Sequence, residues 1–139
     1  RPTRALLSAV ARFGHPFAAP WLIQQLADEA LADHAAAALS LLFGPIVAAP
    51  SILDAAAWRG TVASLAADPG QRLRLGRPWS AAVVAGECAS GELSRLDLEL
   101  RLDELTARLG AGDRPDLGGL APHVRPRLGA FLEQAQRRG

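Results

Sequence analysis

Three arginines and a tryptophan stand close together in the middle of the chain: Arg72, Arg74, Arg77 and Trp79. Arginine and tryptophan are enriched among the residues that carry most of the binding energy of protein interfaces. Arginines beside an aromatic ring also suit phosphate or single-stranded nucleic acid. A third interpretation is structural, with the arginines forming salt bridges to neighbouring helices across an ordered connector. We take these four residues as the candidate partner-binding site and keep the three interpretations open.

Residue types that bind metals or attack substrates are few and scattered. Metal sites usually combine several ligands at tight spacing, whereas His15 is in a predicted turn, His34 on an alanine-rich helix and His123 at a helix start. A catalytic cysteine needs a nearby base and a lowered pKa. Cys88 follows Val83, Val84 and Ala85, which indicates a small buried apolar residue. We therefore expect no catalytic, cofactor-binding or metal-binding residues.

A group of carboxylates near residue 100 could suggest paired acid and base groups: Asp97, Glu99, Asp103 and Glu104. These residues alternate with Arg95, Arg101 and Arg108, which is typical of a solvated, salt-bridged helix face. The acid-first spacing predicts the pairs Asp97–Arg101 and Glu104–Arg108. Motifs for zinc hydrolysis, dinucleotide binding and phosphate binding are absent from the sequence. We expect a protein that is not an enzyme.

The composition indicates one helical domain. The chain has 139 residues, of which 50% are hydrophobic and 21% charged, as is usual for a soluble globular protein. Alanine and leucine dominate and runs of β-branched residues are lacking, which favours helices over strands. A net charge of +1 argues against a dedicated nucleic-acid binder.

The cysteine count and the apolar runs bear on the compartment. A single cysteine cannot form an intrachain disulfide, which favours a reducing, cytoplasmic location. No apolar run approaches the length of a membrane span. Because the chain opens with Arg1 and Pro2 rather than methionine, we expect it to be a piece of a longer protein.

An internal repeat determines the predicted architecture. Residues 5–14 align with residues 35–44 at an offset of thirty, so that Phe13 falls on Phe43 and Gly14 on Gly44. Both copies are apolar, helical in pattern and end in Phe-Gly. A self-match at this period is typical of stacked helix pairs, which usually form binding surfaces.

Four helices are predicted in the first half. The first runs from an N-cap at Thr3 to Phe13, the second from Pro16 to Ala27 and the third from Ala30 to Phe43. The fourth begins at Ser51, where Ser51 and Asp54 give a capping-box signal, and runs to the Asp68-Pro69-Gly70 turn. The apolar positions of Trp21 and Trp58 indicate core residues.

The second half is predicted to begin with an extended connector, because the strand-like segment Gln71–Pro78 has no obvious partner strand. Three helices follow: from an N-cap at Ser80 to about Ser90, Glu92–Leu109, and His123–Gln136. A loop over Asp113–Pro122 separates the last two.

The segment from Gly14 to Gly44 resembles a HEAT-like repeat. The resemblance lies in Gly14-His-Pro16, Ala19-Pro20-Trp21-Leu22, Leu26-Ala-Asp28, Leu31-Ala32 and Ala35–Leu39. Residues 74–80 and the helix pair after them are similar to the C-terminal part of an uncharacterised proteobacterial family of HEAT-like proteins associated with type VI secretion gene clusters. The resemblance implies an all-α fold of antiparallel helix-pair repeats of the α-solenoid type, followed by an irregular helical half. It implies no catalytic residues.

These observations lead to a set of expectations. Residues 1–69 are expected to form HEAT-like repeats, the first truncated, and residues 70–139 a connector and helical cap packed on them as one structural unit. The expected function is a non-enzymatic scaffold or adaptor in a bacterial multi-protein system, with a protein partner and no cofactor. One alternative is a nucleic-acid-binding or DNA-repair protein, by analogy with HEAT-like alkylpurine glycosylases. Another is a subunit of a HEAT-like lyase that attaches bilin pigments.

Overall fold

A computed structural model of the chain describes residues 1–65, 68, 70–90, 93–109 and 121–138, with the side chains of 109 and 121–127 left out. The described chain is mostly α-helical, which confirms the predicted all-α class. It forms two compact units, Arg1–Trp79 and Ser80–Gly139. The predicted boundary after residue 69 lies ten residues earlier than this division, and the prediction that both parts form one unit stays a prediction.

The described residues of the first unit form the helices α1 (Arg4–Phe13), α2 (Ala19–Gln24), α3 (Ala32–Phe43) and α4 (Ala55–Ser64). Short 3-10 turns occupy Pro16–Ala18, Gln25–Ala27 and Ser51–Leu53. The helix predicted from Pro16 to Ala27 is therefore divided into a 3-10 turn, α2 and a second 3-10 turn. Pro20 lacks the backbone N–H that would donate to the Pro16 carbonyl in one regular helix starting at Pro16.

Local capping signals explain where the helices begin and end. The Thr3 hydroxyl accepts a hydrogen bond from the Leu6 N–H at 3.2 Å, and α1 ends at Gly14 in the left-handed conformation, as predicted. The predicted cap at Ser51 is wrong, because α4 begins after Asp54. The Asp54 carboxylate accepts a hydrogen bond from the Ala56 N–H at 2.8 Å, and the carboxylate thus provides the N-cap.

The core of the first unit lies between α1, α2, α3 and α4. Helix α3 packs against α1 and α2, and α2 also packs against α4. The two copies of the internal repeat thus lie side by side, with small alanines on α3 at the contact. Trp58 is completely buried and donates its indole N–H to the Ile52 carbonyl at 2.7 Å, which confirms it as core. Trp21 is partly buried against the same core.

Residues 73–78 form a hairpin rather than the predicted connector without a partner strand. Strand β1 (Leu73–Arg74) pairs antiparallel with β2 (Arg77–Pro78). Both turn residues, Leu75 and Gly76, have positive φ angles, of 51° and 74°. Two such residues close the tightest hairpins, but the usual signal is Asn-Gly or Asp-Gly. Because leucine occupies the first turn position, the hairpin could not be predicted from the sequence.

The hairpin is bonded to the ends of α1 and α3. The Leu73 N–H donates to the Gly14 carbonyl at 2.7 Å, and the Leu75 and Gly76 N–H groups donate to the Leu41 and Leu42 carbonyls at 2.8 and 3.0 Å. A Cβ atom at Gly14 would lie 2.6 Å from the Leu73 carbonyl oxygen. Both Phe-Gly ends of the internal repeat therefore meet the hairpin, and glycine allows the backbones to approach.

The second unit contains α5 (Ala81–Ala89), α6 (Arg95–Leu109) and α7 (Ala121–Arg138). Helix α5 packs against α6 and α7. The Ser80 hydroxyl accepts a hydrogen bond from the Val83 N–H at 3.2 Å, which confirms the predicted cap. Helix α7 begins two residues before the predicted start at His123, and residues 113–120 of the predicted loop lie outside the described residues. Buried side chains include Val84, Cys88, Leu102, Leu105 and Leu132.

The charged pairs of α6 agree only partly with the prediction. The Arg108 Nε atom lies 3.8 Å from the Glu104 Oε1 atom, as the i,i+4 spacing indicated. Arg101, however, was expected to pair with Asp97 and donates to Glu87 of α5 at 2.9 Å, with both side chains largely buried. Asp97 accepts a hydrogen bond from the Ser94 hydroxyl at 2.6 Å at the start of the helix. The spacing rule could not show that Arg101 faces a neighbouring helix.

Candidate functional site

Three rings, of which the two phenylalanines are exposed and the histidine is half-buried, form a row where α1 turns into α2. We call Phe13, His15 and Phe17 the aromatic row. The ring centroids of Phe13 and His15 are 6.4 Å apart with 17° between their planes, and those of His15 and Phe17 are 4.9 Å apart. Phe13 is 51% exposed and Phe17 is 70% exposed. Large apolar rings grouped at a surface often mark an interaction site.

The local backbone explains why the three rings point the same way. Gly14, in the left-handed conformation, ends α1, and Pro16 is buried at the start of the next turn. Gly14 and Pro16 are therefore buried, while the rings of Phe13, His15 and Phe17 lie on the outer side of the turn. The His15 Nδ1 atom accepts a hydrogen bond from the Phe17 N–H at 3.3 Å. In this arrangement Nδ1 carries no proton, so a neutral imidazole carries its proton on Nε2.

The hairpin places Arg72 on this row. The Arg72 guanidinium carbon lies over the Phe13 ring, 4.1 Å from its centroid. The close contact of Leu73 with Gly14 fixes this position, because Arg72 directly precedes the strand residue that is bonded to the end of α1. A cation over an exposed ring contributes about 0.5–1 kcal/mol. Arg72, a predicted site residue, thus lies at the aromatic row, whose three residues are distant from it in sequence.

The four predicted site residues do not form one surface. Arg72 and Arg77 are exposed and Trp79 is partly buried, but Arg74 is 0% exposed. Arg74 lies in β1 directly opposite Arg77 in the hairpin register. The structural interpretation of the arginines suits Arg74, since its guanidinium is enclosed within the chain. Arg72 is the member that fits a binding surface.

Of the other candidate groups, His15 belongs to the aromatic row. Cys88 is buried in α5, as expected for a small apolar residue. His34 is exposed on α3, and the side chain of His123 lies outside the described residues. Within the described ranges, no three histidine, cysteine or carboxylate side chains are grouped so that they could hold a metal ion. In the same ranges, no helix has the length and apolar character needed to cross a membrane.

An open cavity of about 430 Å³ lies at the start of α1. It is lined by the first five residues together with Asp28, Ala30 and Leu31. Its charged lining combines two arginines with one carboxylate. Such a lining lacks the convergent polar groups around an apolar interior that a small-molecule site needs.

Sequence reasoning missed the aromatic row although its signal was present. The pattern Phe13-Gly-His15-Pro-Phe17 places an aromatic ring at every second position. The glycine and the proline between the rings determine the course of the backbone. We interpreted Phe13 and Gly14 as the end of a repeat and His15 as a turn residue. The approach of Arg72 could not be seen, because the hairpin that carries it was not predicted. Comparisons of this chain with protein-family models, with curated proteins and with solved structures give no match.

Proposed function

We propose that this chain is a non-enzymatic protein–protein interaction module that acts as a scaffold or adaptor in a bacterial multi-protein system. The observation that supports it is the exposed aromatic row with Arg72 over its first ring. Aromatic residues and arginine are the types that dominate binding energy at interfaces. Covering Phe13 and Phe17 with a partner would contribute about 1–2 kcal/mol for each ring, scaled from full burial of phenylalanine.

The HEAT-like part of this proposal has separate support. The segment from Gly14 to Gly44 carries the resemblance, and the two copies of the repeat pack side by side as α1 and α3. A cytoplasmic location is part of the proposal, and the single cysteine supports it. A role connected with secretion rests on residues 74–80 and the helices after them, and it is the narrowest element of the proposal.

Binding of single-stranded nucleic acid is a second candidate function. Near-parallel rings with an arginine over one of them also offer stacking platforms for bases. Such proteins pair their rings with a basic groove that follows the phosphate backbone. The net charge of +1 and the burial of Arg74 favour the protein partner over this candidate.

An affinity pull-down from a lysate of the source organism tests the proposed function. The bait is the tagged protein beside a double variant, Arg72→Ala with Arg77→Ala, in which buried Arg74 is kept so that folding is preserved. The matched control is Arg59→Ala, which removes an exposed arginine from α4. We expect a defined protein partner that the double variant loses and the control keeps. A nuclease-sensitive partner would favour the second candidate, and an empty pull-down would contradict the proposal.

A further inference from the structure

We infer that the aromatic row and Arg72 dock an acidic peptide segment that carries a large apolar or aromatic side chain. This inference rests on the proposed function and names the chemistry of the partner. In the arrangement we infer, the apolar side chain of the peptide packs on Phe17 and His15. A carboxylate next to it in the peptide accepts hydrogen bonds from Arg72.

The row is already held in the shape that binding would need. The turn is fixed by the left-handed Gly14, by buried Pro16 and by the hydrogen bond from the Phe17 N–H to His15. Arg72 is positioned by the bond between the Leu73 N–H and the Gly14 carbonyl. A preorganised site loses little conformational freedom when a partner binds, and more of the contact energy therefore remains as affinity.

Charge is distributed unevenly along the chain, and every charged side chain in the segments that build the site is an arginine. Residues 1–27 and 71–79 contain no aspartate or glutamate, and they hold six arginines: Arg1, Arg4, Arg12, Arg72, Arg74 and Arg77. The rest of the chain has nine arginines and all fourteen carboxylates. The sequence segments that carry the row and Arg72 thus bear only positive charges, although the net charge of the whole chain is small. A positive patch attracts acidic partners and repels basic ones.

Arg12 and Arg72 are the two arginines next to Phe13, one along the chain and one across from the hairpin. Asp68 is the carboxylate that precedes Arg72 along the chain. Its oxygen accepts a hydrogen bond from the Gly70 N–H at 3.0 Å, within its own turn. An arginine over an aromatic ring can still donate a pair of parallel hydrogen bonds to a carboxylate from the N–H groups that face away from the ring. A carboxylate is therefore the group that complements the exposed guanidinium of Arg72.

A peptide fits these observations better than an oligonucleotide. Proteins that bind single-stranded nucleic acid hold successive phosphates in a continuous basic groove. Here, among the described residues, the exposed guanidinium found over a ring of the row is that of Arg72, and the neighbouring strand arginine Arg74 is buried. The row offers apolar area for one or two side chains with one cation at its end, which matches a carboxylate adjacent to an apolar residue.

Selection from a random displayed peptide library tests the inference. The immobilised protein is panned, and enriched peptides are labelled and titrated by fluorescence anisotropy. The variants are Phe17→Ala and Arg72→Gln, and the matched control is Leu53→Ala, which removes an exposed apolar side chain elsewhere in the same unit. Circular dichroism verifies that each variant is folded. The probes for competing occupants are a labelled oligo-dT and the protein itself, measured by sedimentation.

We expect enriched peptides to place Asp or Glu within a few positions of Phe, Trp or Leu. Phe17→Ala and Arg72→Gln should each weaken binding at least fivefold, while Leu53→Ala changes it less than twofold. Raising the salt concentration should weaken binding to the wild-type protein more than binding to Arg72→Gln, because the screened charge pair is absent from that variant.

Several outcomes would overturn the inference: enrichment of basic or uncharged peptides, no enrichment at all, or equal binding by Phe17→Ala and wild type. Tighter binding of oligo-dT that Phe17→Ala abolishes would assign the row to nucleic acid. A dimer that Phe17→Ala dissociates would assign it to a second copy of the chain. If the pull-down partner binds wild type and Phe17→Ala equally, this inference fails and the proposed function stands. If no partner is found, the proposed function fails as well.

Discussion

Replacing Gly14 with alanine tests whether the hairpin is held by close backbone contact with the end of α1. Gly14 has a φ angle of 82°, and a Cβ atom there would lie 2.6 Å from the Leu73 carbonyl oxygen. The left-handed conformation costs an L-residue about 1–2 kcal/mol. Relieving the clash requires the hairpin to move away, which weakens the bond from the Leu73 N–H and costs about 1 kcal/mol more. We expect Gly14→Ala to lower the free energy of unfolding by about 2–3 kcal/mol.

The matched control is Gly60→Ala, the same substitution inside α4. No atom lies within 4 Å of a Cβ at Gly60, and its φ angle is helical. Alanine is the better helix former, so this variant should be stabilised by about 0.5–1 kcal/mol. The two substitutions remove the same flexibility from the unfolded chain. Their difference therefore reports the clash and the backbone strain.

Urea denaturation followed by tryptophan fluorescence is the assay. All three tryptophans lie in the first unit, so their fluorescence reports on the unit that contains the hairpin. With a slope of about 1–1.5 kcal/mol per molar urea for a unit of this size, the midpoint for Gly14→Ala should fall by about 2 M. A midpoint for Gly14→Ala that equals or exceeds that of Gly60→Ala would refute the docking of the hairpin on α1.

Three further predictions concern single contacts. Asp54→Ala should cost about 1 kcal/mol by removing the cap of α4, while Ser51→Ala should cost less than about 0.5 kcal/mol; urea midpoints measure both, and equal losses would contradict the assignment of the cap. Trp58→Phe should cost about 1–3 kcal/mol, because it leaves the partly buried Ile52 carbonyl without its indole donor; thermal unfolding by circular dichroism measures it, and a change below about 0.5 kcal/mol would argue against that bond. Arg101→Ala should destabilise the second unit by about 3 kcal/mol by leaving the carboxylate of Glu87 without this donor in a largely buried position. Loss of helical signal with temperature measures this effect, and Arg101→Met should recover part of the loss by restoring the packing.

Local signals predicted the parts of the fold that depend on a few adjacent residues. Thr3 and Ser80 are caps because a hydroxyl accepts a hydrogen bond from an N–H three residues later, which the sequence shows directly. Ser51 and Asp54 both offered a suitable oxygen, and the intervening 3-10 turn decided between them. The helical class followed from composition, and the HEAT-like resemblance stays a prediction.

The site depended on contacts between distant residues and could not be predicted in this way. Arg72 reaches Phe13 only because Leu73 of the hairpin bonds to Gly14, fifty-nine positions earlier in the chain. Arg74 was part of the candidate binding site named from the sequence, yet both residues of β1 are buried. A strand against helix ends is covered on both faces, so the period-two pattern says little about exposure there.

The hairpin sets a limit on how this chain can lengthen by duplication. Strand β1 is bonded to the end of α1, and the hairpin turn is bonded to the end of α3. A tandem copy of the thirty residues after Gly14 would add a third Phe-Gly end and move one of the present ends away from the hairpin. The extra end would leave its last carbonyls without these N–H donors. We therefore expect that insertions of whole repeats at this position are tolerated only together with a second hairpin.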